Sequence, residues 1–331
     1  MNDTIPEFIH QWINLAQPRL GAEIVSCSDD FFAACSRMLS PAAAQFIEGK
    51  FDDNGKWMDG WETRRRRDGG YDNAIVRLGL AGEIKGIDID TTHFTGNYPP
   101  AAALEACYSE TAADENSDWQ CLIPSTSLQG DSHHYFQIDN PACFNHVRLN
   151  LYPDGGIARL RVHGRVINDV ATLDKTALHD LASVTLGARA IAWNDAHFGA
   201  AANLLNPGKG INMGDGWETR RRREPGNDWC IIELGHRGSI ETIVLDTAFF
   251  KGNYPDRCSI LGARVEAGTA QSIVTQSQFW TELLPPQKLQ MDREHRFNAE
   301  LLDIGPVTHV RINLFPDGGL SRVRLLGKID D

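Results

Sequence analysis

The residues with the clearest chemical potential form a run of four consecutive arginines that occurs twice. Residues 59–67 read DGWETRRRR, and the same letters return at 215–223. Adjacent guanidinium groups repel one another, and their planar, forked donors suit carboxylate or ureido oxygens. If the segment is extended, Glu62 shares a face with the first and third arginines; a network of internal ion pairs would explain the run as well. The candidate ligand-binding residues are Arg64, Arg66, Arg220 and Arg222.

A second candidate set follows from alternation of apolar and polar residues. Residues 146–151 read HVRLNL and residues 309–314 read HVRINL. In a strand, this pattern turns the aliphatic side chains to the core and the polar side chains to the other face. A polar site and a solvated sheet face with structural hydrogen bonds explain the pattern equally well, and the second explanation is favoured for the first histidine. The members are His146, Arg148, Asn150, Arg311 and Asn313.

The third candidate is a histidine in a loop. His93 lies within DTTHFTGNYPP at 90–100, directly after a predicted strand, and loops on a rigid scaffold commonly carry reactive groups. The related segment that begins at Asp246 has Phe249 at this place, so the copies differ in acid–base capacity. A histidine that caps backbone groups is the alternative.

Metal, nucleotide and serine-hydrolase chemistry find no motif in the sequence. The segment 131–134, DSHH, lacks a recognised metal-ligand spacing, and the glycine-rich phosphate loops and the serine elbow do not occur. The seven cysteines are scattered without a Cys-x-x-Cys pair, which is typical of reduced thiols in a cytoplasmic protein. We therefore expect neither a metal nor a cofactor.

Charge and composition limit the partners. The 331 residues include 32 Lys and Arg against 44 Asp and Glu, a net charge of −12. This balance argues against nucleic acid or an anionic membrane as the main partner, but a small anion needs only a local basic site. No apolar stretch approaches the roughly 18 to 20 residues of a membrane span, and the first residues lack a signal peptide. We expect a cytoplasmic protein without a membrane partner.

An internal repeat organises these candidates. The segment 15–41 matches 181–207, and the arginine run, a GNYP block and an HVR block follow in the same order in both halves. Two tandem copies of one domain explain this order, and we assign them to 1–170 and 171–331. Each copy is long enough to bury a core of its own.

Within each copy, short alternating runs are separated by Gly, Pro, Asn and Asp. The predicted strands are 74–79, 84–89, 147–152 and 158–162, with counterparts at 231–234, 240–245, 310–315 and 320–325. The turn residues 153–156, PDGG, predict a hairpin between the last two strands of the first copy. Helices are expected only near residues 6–13 and 31–39, the second capped by Asp29 or Asp30. The predicted fold is all-β: two tandem jelly-roll β-sandwich domains with a few short helices.

Three blocks carry a family resemblance. With DGWETRRRR at 59–67, GNYPP at 96–100 and HVRLNLYPDGG at 146–156, the sequence resembles the allantoicase (allantoate amidinohydrolase) family. The resemblance runs from about Leu15 to Gly327. It implies a tandem pair of galactose-binding-like jelly rolls, a homo-oligomer, and hydrolysis of allantoate to ureidoglycolate and urea in purine (allantoin) degradation.

Allantoate carries one carboxylate and two ureido arms on a single carbon. Arginines of the two candidate sets would fix the carboxylate, and Asn150 a ureido carbonyl. Cleavage of the carbon–nitrogen bond requires protonation of the departing urea and delivery of water. The leading acid–base candidates are His93 and Glu62, followed by His146.

Two other functions stay open. A non-catalytic galactose-binding-like module is one, because fold alone does not decide function, and a hydrolase of a related ureido compound is the other. The clustered Arg, His and carboxylate groups are unusual for a carbohydrate-binding surface. One copy, both copies or an interface could hold the active site.

Overall fold

The computed structural model describes residues 5–168 and 173–330. The chain divides into two compact units, Met1–Ile167 and Asn168–Asp331. No helix in the described ranges combines the length and the apolar character that a membrane crossing requires.

The first unit is built almost entirely of strands. Its elements are α1 (Glu7–Gln11), β1 (Ile13–Asn14), β2 (Glu23–Cys27), β3 (Phe51–Asp52), β4 (Gly55–Lys56), β5 (Trp61–Glu62), β6 (Asp72–Asp90), β7 (Ala101–Cys107), β8 (Gln120–Ser127), β9 (His133–Gln137), β10 (Cys143–Tyr152), β11 (Gly156–Ile157) and β12 (Arg159–Val166), with short 3-10 helices at Pro18–Leu20 and Cys35–Leu39.

The long strand β6 is the central strand of this unit and pairs with four others. Its first part pairs with β2 and β10, and its second part pairs with β9 and β12, all antiparallel. The strand order of the sheet is β1-β12-β6-β10-β7-β8. Aliphatic side chains from both parts of β6 meet those of β7, β10 and β12 in one hydrophobic core, as the alternating sequence requires.

The structure corrects two sequence-based expectations about these strands. The runs predicted as separate strands at 74–79 and 84–89 form the single strand β6, which has 19 residues. The predicted hairpin is wrong, because β10 and β12 lie on opposite edges of β6 rather than beside each other. The last glycine of PDGG and the next residue, Ile157, instead form β11, which pairs with β5. Turn chemistry predicted the chain reversal correctly but could not identify the strand with which the chain would pair.

The expected helices are shorter than the sequence suggested. Helix α1 follows Pro6, in agreement with the predicted first helix. The predicted helix at 31–39 is reduced to the 3-10 helix Cys35–Leu39. Neither Asp29 nor Asp30 caps it, because it begins later than predicted and Ala34 holds the cap position without a side-chain hydrogen bond. The carboxylate of Asp29 is bound by Arg64 instead.

The second unit repeats this plan. Its elements are β13 (His179–Asp180), β14 (Arg189–Trp193), β15 (Phe198–Gly199), β16 (Trp217–Glu218), β17 (Asp228–Asp246), β18 (Arg257–Ala263), α2 (Ala270–Gln276), β19 (Thr281–Lys288), β20 (Glu294–Phe297), β21 (Val307–Phe315), β22 (Gly319–Leu320) and β23 (Arg322–Ile329), with 3-10 helices at Val184–Leu186, Ala201–Leu205, Met213–Asp215 and Ser277–Phe279. Strand β17 takes the place of β6, in a sheet of order β13-β23-β17-β21-β18-β19.

Candidate functional site

The first arginine run leaves the sheet at the end of β5. Trp61 is fully buried, and its indole nitrogen donates to the carbonyl of Asp29 at 2.7 Å. The next inward residue, Thr63, receives a hydrogen bond from the backbone nitrogen of Gly155 at its hydroxyl oxygen, at 3.1 Å. These buried contacts fix the start of the run, so that the four arginines after Thr63 emerge at the surface.

Arg64 and Arg66 are occupied by acids of the same unit. The guanidinium of Arg64 contacts Asp29 Oδ1 at 2.7 Å, and the backbone nitrogen of Arg64 donates to the other carboxylate oxygen at 2.6 Å. Arg66 Nε donates to Asp72 Oδ1 at 3.0 Å, and its Nη1 lies 3.1 Å from Asp68. Burial raises the pKa of Asp29, but the hydrogen bonds and charge of Arg64 outweigh it and hold that pKa below its ordinary value.

Arg65 and Arg67 differ from their neighbours. Both side chains are exposed, and within the described part of the chain neither has a hydrogen bond or an ion pair. They face an open cleft of about 400 Å³. The cleft is lined by Ser28, Asp29, Arg64, Arg65, Arg66, Arg67, Asp68 and Asp72. Its unengaged donors are therefore the second and fourth arginines of the run.

The second unit contains the same arrangement. Arg220 pairs with Asp195 at 2.9 Å, and Arg222 pairs with Asp228 at 2.7 Å. The two other arginines are again exposed and have no partner in the described ranges. The cleft here measures about 300 Å³ and is lined by Asn194, Asp195, Arg220, Arg221, Arg222, Arg223, Glu224 and Asp228.

A buried carboxylate at the base of each cleft was missed by the sequence reasoning. Asp72 is 1% exposed; its Oδ1 accepts from Ser28 Oγ at 2.7 Å, and its buried Oδ2 has no partner among the described residues. In the second unit Asn194 donates to Asp228 Oδ1 at 2.9 Å in place of the serine. The sequence repeat could have identified these two carboxylates, because both copies have an aspartate at the same distance after the arginine run.

Glu62 is held beside the loop that follows β6. Asn97 Nδ2 donates to Glu62 Oε1 at 2.7 Å, and the related residues Asn253 and Glu218 form the same hydrogen bond. Burial raises the pKa of Glu62 above its ordinary value, although the bond from Asn97 opposes this. Glu62 does not belong to the residues that line the arginine cleft.

His93 occupies an unusual backbone conformation that its counterpart shares. Its φ is +69°, and that of Phe249 is +72°. In each case the backbone nitrogen donates to an aspartate, Asp131 at 2.8 Å and Asp292 at 2.7 Å. The imidazole Nε2 lies 3.3 Å from the carbonyl oxygen of Ala44. The loop therefore requires this backbone geometry in both units, while the side chain is free to differ.

The outward face of β10 forms a separate cluster, as the alternation predicted. Arg148 Nε donates to Glu105 Oε2 at 2.7 Å, and Asn150 Nδ2 donates to the same oxygen at 2.9 Å. The guanidinium also stacks on Trp119, 4.7 Å from the ring centroid. Neither Arg148 nor Asn150 lines the arginine cleft.

His146 is enclosed on this face. It is 1% exposed, its Nδ1 lies 2.7 Å from Asn145 Oδ1, and its Nε2 is buried without a partner in the described chain. Burial lowers its pKa, and the charge of Arg77 adds to this effect. The imidazole is therefore neutral near pH 7 and is shielded from any ligand in the cleft.

The corresponding cluster of the second unit lacks an acid. Arg311 Nε donates to Asn313 Oδ1 at 3.0 Å, and its Nη1 donates to Ser277 Oγ at 2.8 Å. The guanidinium lies 4.4 Å from the ring centroid of Trp229. Arg311 is 8% exposed, and in the described ranges it forms no ion pair with a carboxylate.

The histidines of the DSHH segment have hydrogen-bonding roles. His133 Nδ1 lies 3.0 Å from Asp88 Oδ2, and His134 Nε2 accepts from the backbone nitrogen of Gln129 at 2.9 Å. Among the described residues, no group of three or more His, Cys, Asp or Glu is arranged so that it could hold a metal ion.

Comparison with known proteins identifies the family of this chain. The family model described as the allantoicase repeat matches residues 13–167 and again residues 179–330. The chain belongs to the allantoicase family. The resemblance inferred from the arginine run and the HVR block is thereby confirmed, and both units are members of the same repeat.

Individual allantoicases are similar over nearly their whole length. A probable allantoicase of Burkholderia mallei is 57% identical over 98% of this chain and 97% of its own. A probable allantoicase of Pseudomonas fluorescens is 58% identical over 96% and 97%. The crystal structure of allantoicase from Saccharomyces cerevisiae superimposes with a TM-score of 0.80 at 36% identity, covering 95% of this chain and 92% of that one. The predicted all-β fold of two tandem β-sandwich domains is confirmed.

Proposed function

We propose that this chain hydrolyses allantoate to ureidoglycolate and urea, in the degradation of allantoin. One observation carries the proposal: both allantoicase repeats are present, and each contains a cleft in which alternate arginines have no acid partner among the described residues. A substrate with a carboxylate and two ureido carbonyls offers the acceptors that such donors need.

The carboxylate is bound by Arg65 and Arg67 rather than by Arg64 and Arg66. The latter pair is held by Asp29 and Asp72, so two of the three guanidinium nitrogens of each arginine are already engaged: Nε and Nη2 of Arg64, and Nε and Nη1 of Arg66. These ion pairs fix the backbone of the run, and a fixed backbone presents the free arginines with little loss of conformational entropy on binding.

The reaction adds the hydroxyl group of water to the central carbon and the remaining proton to the departing ureido nitrogen. Glu62 is our candidate for the acid that protonates this nitrogen, because burial raises its pKa and so favours the form that carries a proton. His93 is our candidate for the group that orients and deprotonates water. Like Glu62, it lies outside the lining of the arginine cleft, so the scheme places the reacting carbon at the side of the cleft nearer to Glu62. The enclosed His146 and the engaged Arg148 and Asn150 support the fold of the first unit in this scheme.

The first unit is our choice for the chemical step. It contains His93, whereas the second unit has Phe249 in the same backbone conformation and therefore lacks a titratable group there. Arg221 and Arg223 of the second unit would bind an anion without turning it over.

The test is urea release by the purified protein. Allantoate should yield one urea per turnover, and allantoin and ureidoglycolate should yield none at the same enzyme concentration. Turnover of allantoin or ureidoglycolate in preference to allantoate would point to a hydrolase of a related ureido compound. Binding of allantoate without urea release would point to a non-catalytic module.

We also propose a cytoplasmic homo-oligomer with no nucleic-acid or membrane partner. The net charge of −12 and the seven free cysteines support this setting. Light scattering on the eluting peak of a gel-filtration column measures the subunit number directly, and a mass near 36.7 kDa would contradict an oligomer.

A further inference from the structure

The two units differ in how they neutralise one buried arginine. In the first unit, strand register places Glu105 directly opposite Arg148, and its carboxylate receives both Arg148 and Asn150. In the second unit, the same register places Leu261 opposite Arg311. The cationic and amide groups are thus repeated, and the carboxylate between them is missing.

The partners of Arg311 are all neutral. Asn313, Ser277 and the face of Trp229 surround a guanidinium that is only 8% exposed, and its Nη2 has no acceptor in the described chain. A cation that is removed from water without a counter-charge is costly. The fully buried Arg159 and the largely buried Arg322 each pair with an aspartate at 2.7 Å, so Arg311 departs from the pattern of this protein.

We propose that Arg311 binds the carboxylate of a small monocarboxylic acid through its Nη2, which is free in the described chain, beside Leu261 and close to the position that Glu105 has in the first unit. The amide of Asn313 contacts Ser259, Asn227 and Arg311, and it holds the guanidinium in place for the ligand. The ligand supplies the counter-charge that the chain omits. Because so little of Arg311 is exposed, the ligand approaches with its carboxylate first, and a compact acid of the size of formate or acetate fits best. The site is distinct from the arginine clefts, since neither Arg311 nor Asn313 lines them.

The experiment must separate this site from the clefts, which also bind anions. It therefore uses the full chain with Arg65, Arg67, Arg221 and Arg223 all changed to Gln. The melting temperature is measured by calorimetry at constant ionic strength, with sodium formate or acetate replacing sodium chloride. We expect formate to raise the melting temperature by about 2 to 4 °C at roughly ten times its dissociation constant.

A matched pair of variants at Leu261 decides the assignment. Leu261→Glu places a carboxylate opposite Arg311, as in the first unit, and should abolish the response to formate while raising the melting temperature by itself. Leu261→Gln has nearly the same shape without the charge and should keep the response. No response in the cleft-deficient protein, or a response that survives Leu261→Glu, would each overturn the proposal. Urea release plays no part in this measurement, so its outcome does not depend on the proposed hydrolysis.

Discussion

Neighbouring arginines of one run have different tasks because only some of them have an acid within reach. Asp29 and Asp72 bind Arg64 and Arg66, while Arg65 and Arg67 face the open cleft and have no acid partner in the described part of the chain. An ion pair within the protein lowers the availability of a guanidinium for a ligand, since its donors must first be released. Engaged and free arginines alternate in the second unit as well, so we do not regard this arrangement of side chains as accidental.

This division leads to a prediction for substrate binding. Changing Arg65 or Arg67 to Gln should raise the KM for allantoate by about 10- to 100-fold, because each change removes a charged hydrogen bond to the carboxylate. Steady-state urea release measures this effect. Arg264→Gln is the control: Arg264 is an exposed arginine that pairs with Glu266 outside both clefts, and its KM should stay at the wild-type value. An unchanged KM in both cleft variants would contradict the assignment.

A second prediction concerns the pH dependence of turnover. Because burial raises the pKa of Glu62, its proton-donating form persists to higher pH than that of an ordinary glutamate. If Glu62 is the acid, kcat falls as pH rises through this raised pKa, and Glu62→Gln lowers kcat by about 100-fold or more and abolishes that limb of the profile. The matched control is Glu218→Gln in the second unit, where Asn253 forms the same hydrogen bond and kcat should not change. A Glu62→Gln enzyme that keeps the wild-type profile would remove Glu62 from the mechanism.

At the scale of elements, a buried arginine fastens a long loop to the sheet. Arg159 of β12 is fully buried and donates to the carbonyls of Ala42 and Ala43, while its Nη2 contacts Asp59 Oδ2 at 2.7 Å. This loop also carries Ala44, whose carbonyl lies beside the imidazole of His93. The position of His93 therefore depends on how the loop is held against β12.

The third prediction tests this fastening. Arg159→Met should destabilise the first unit by about 3 to 5 kcal/mol, because the change leaves Asp59 without its cationic partner and several carbonyl oxygens without their donor. Urea denaturation followed by tryptophan fluorescence measures the loss. Arg165→Met is the control, since Arg165 is exposed and 3.8 Å from Glu83, and it should change the stability by no more than about 0.5 kcal/mol. Equal stabilities of the two variants would show that the loop does not depend on Arg159.

The strands and loops also show how much of the structure can be predicted from the sequence. Alternation in HVRLNL predicted correctly which side chains of β10 enter the core, because the strand keeps a period of two from His146 onward, after a register shift between Phe144 and His146. In the arginine run the same alternation separates Arg64 and Arg66 from Arg65 and Arg67. It could not show which pair is free for a ligand, because that depends on acids such as Asp29, which lies 35 residues from Arg64. Such pairings, like the placement of β12 beside β6 instead of β10, depend on tertiary contacts that local patterns do not encode.

The whole molecule carries two copies of one architecture, which makes each copy a control for the other. Both have the cleft, the paired aspartates and the glutamate–asparagine contact. They differ at residue 93 and its counterpart 249, where the backbone conformation is the same and the side chain is histidine or phenylalanine. Replacing one of these residues by the other therefore removes or adds an imidazole while the backbone conformation can stay the same.

The last prediction uses this exchange to locate the chemical step. His93→Phe installs the residue of the second unit at a φ that phenylalanine already adopts there, and it should lower kcat by about 100-fold while KM stays within about twofold. Changing both Arg221 and Arg223 to Gln should leave kcat intact, since in our scheme the second cleft binds without turnover. Urea release measured on both variants shows whether one unit or both units carry out the hydrolysis.

If the arginine changes in the second unit halve kcat and His93→Phe halves it too, each unit turns over allantoate independently. The proposal of a single active site in the first unit is then wrong. A kcat that His93→Phe leaves at the wild-type value would instead leave water activation to another group of the first unit, with Asp72, buried at the base of the cleft and with one oxygen unpartnered in the described chain, as the next residue to change.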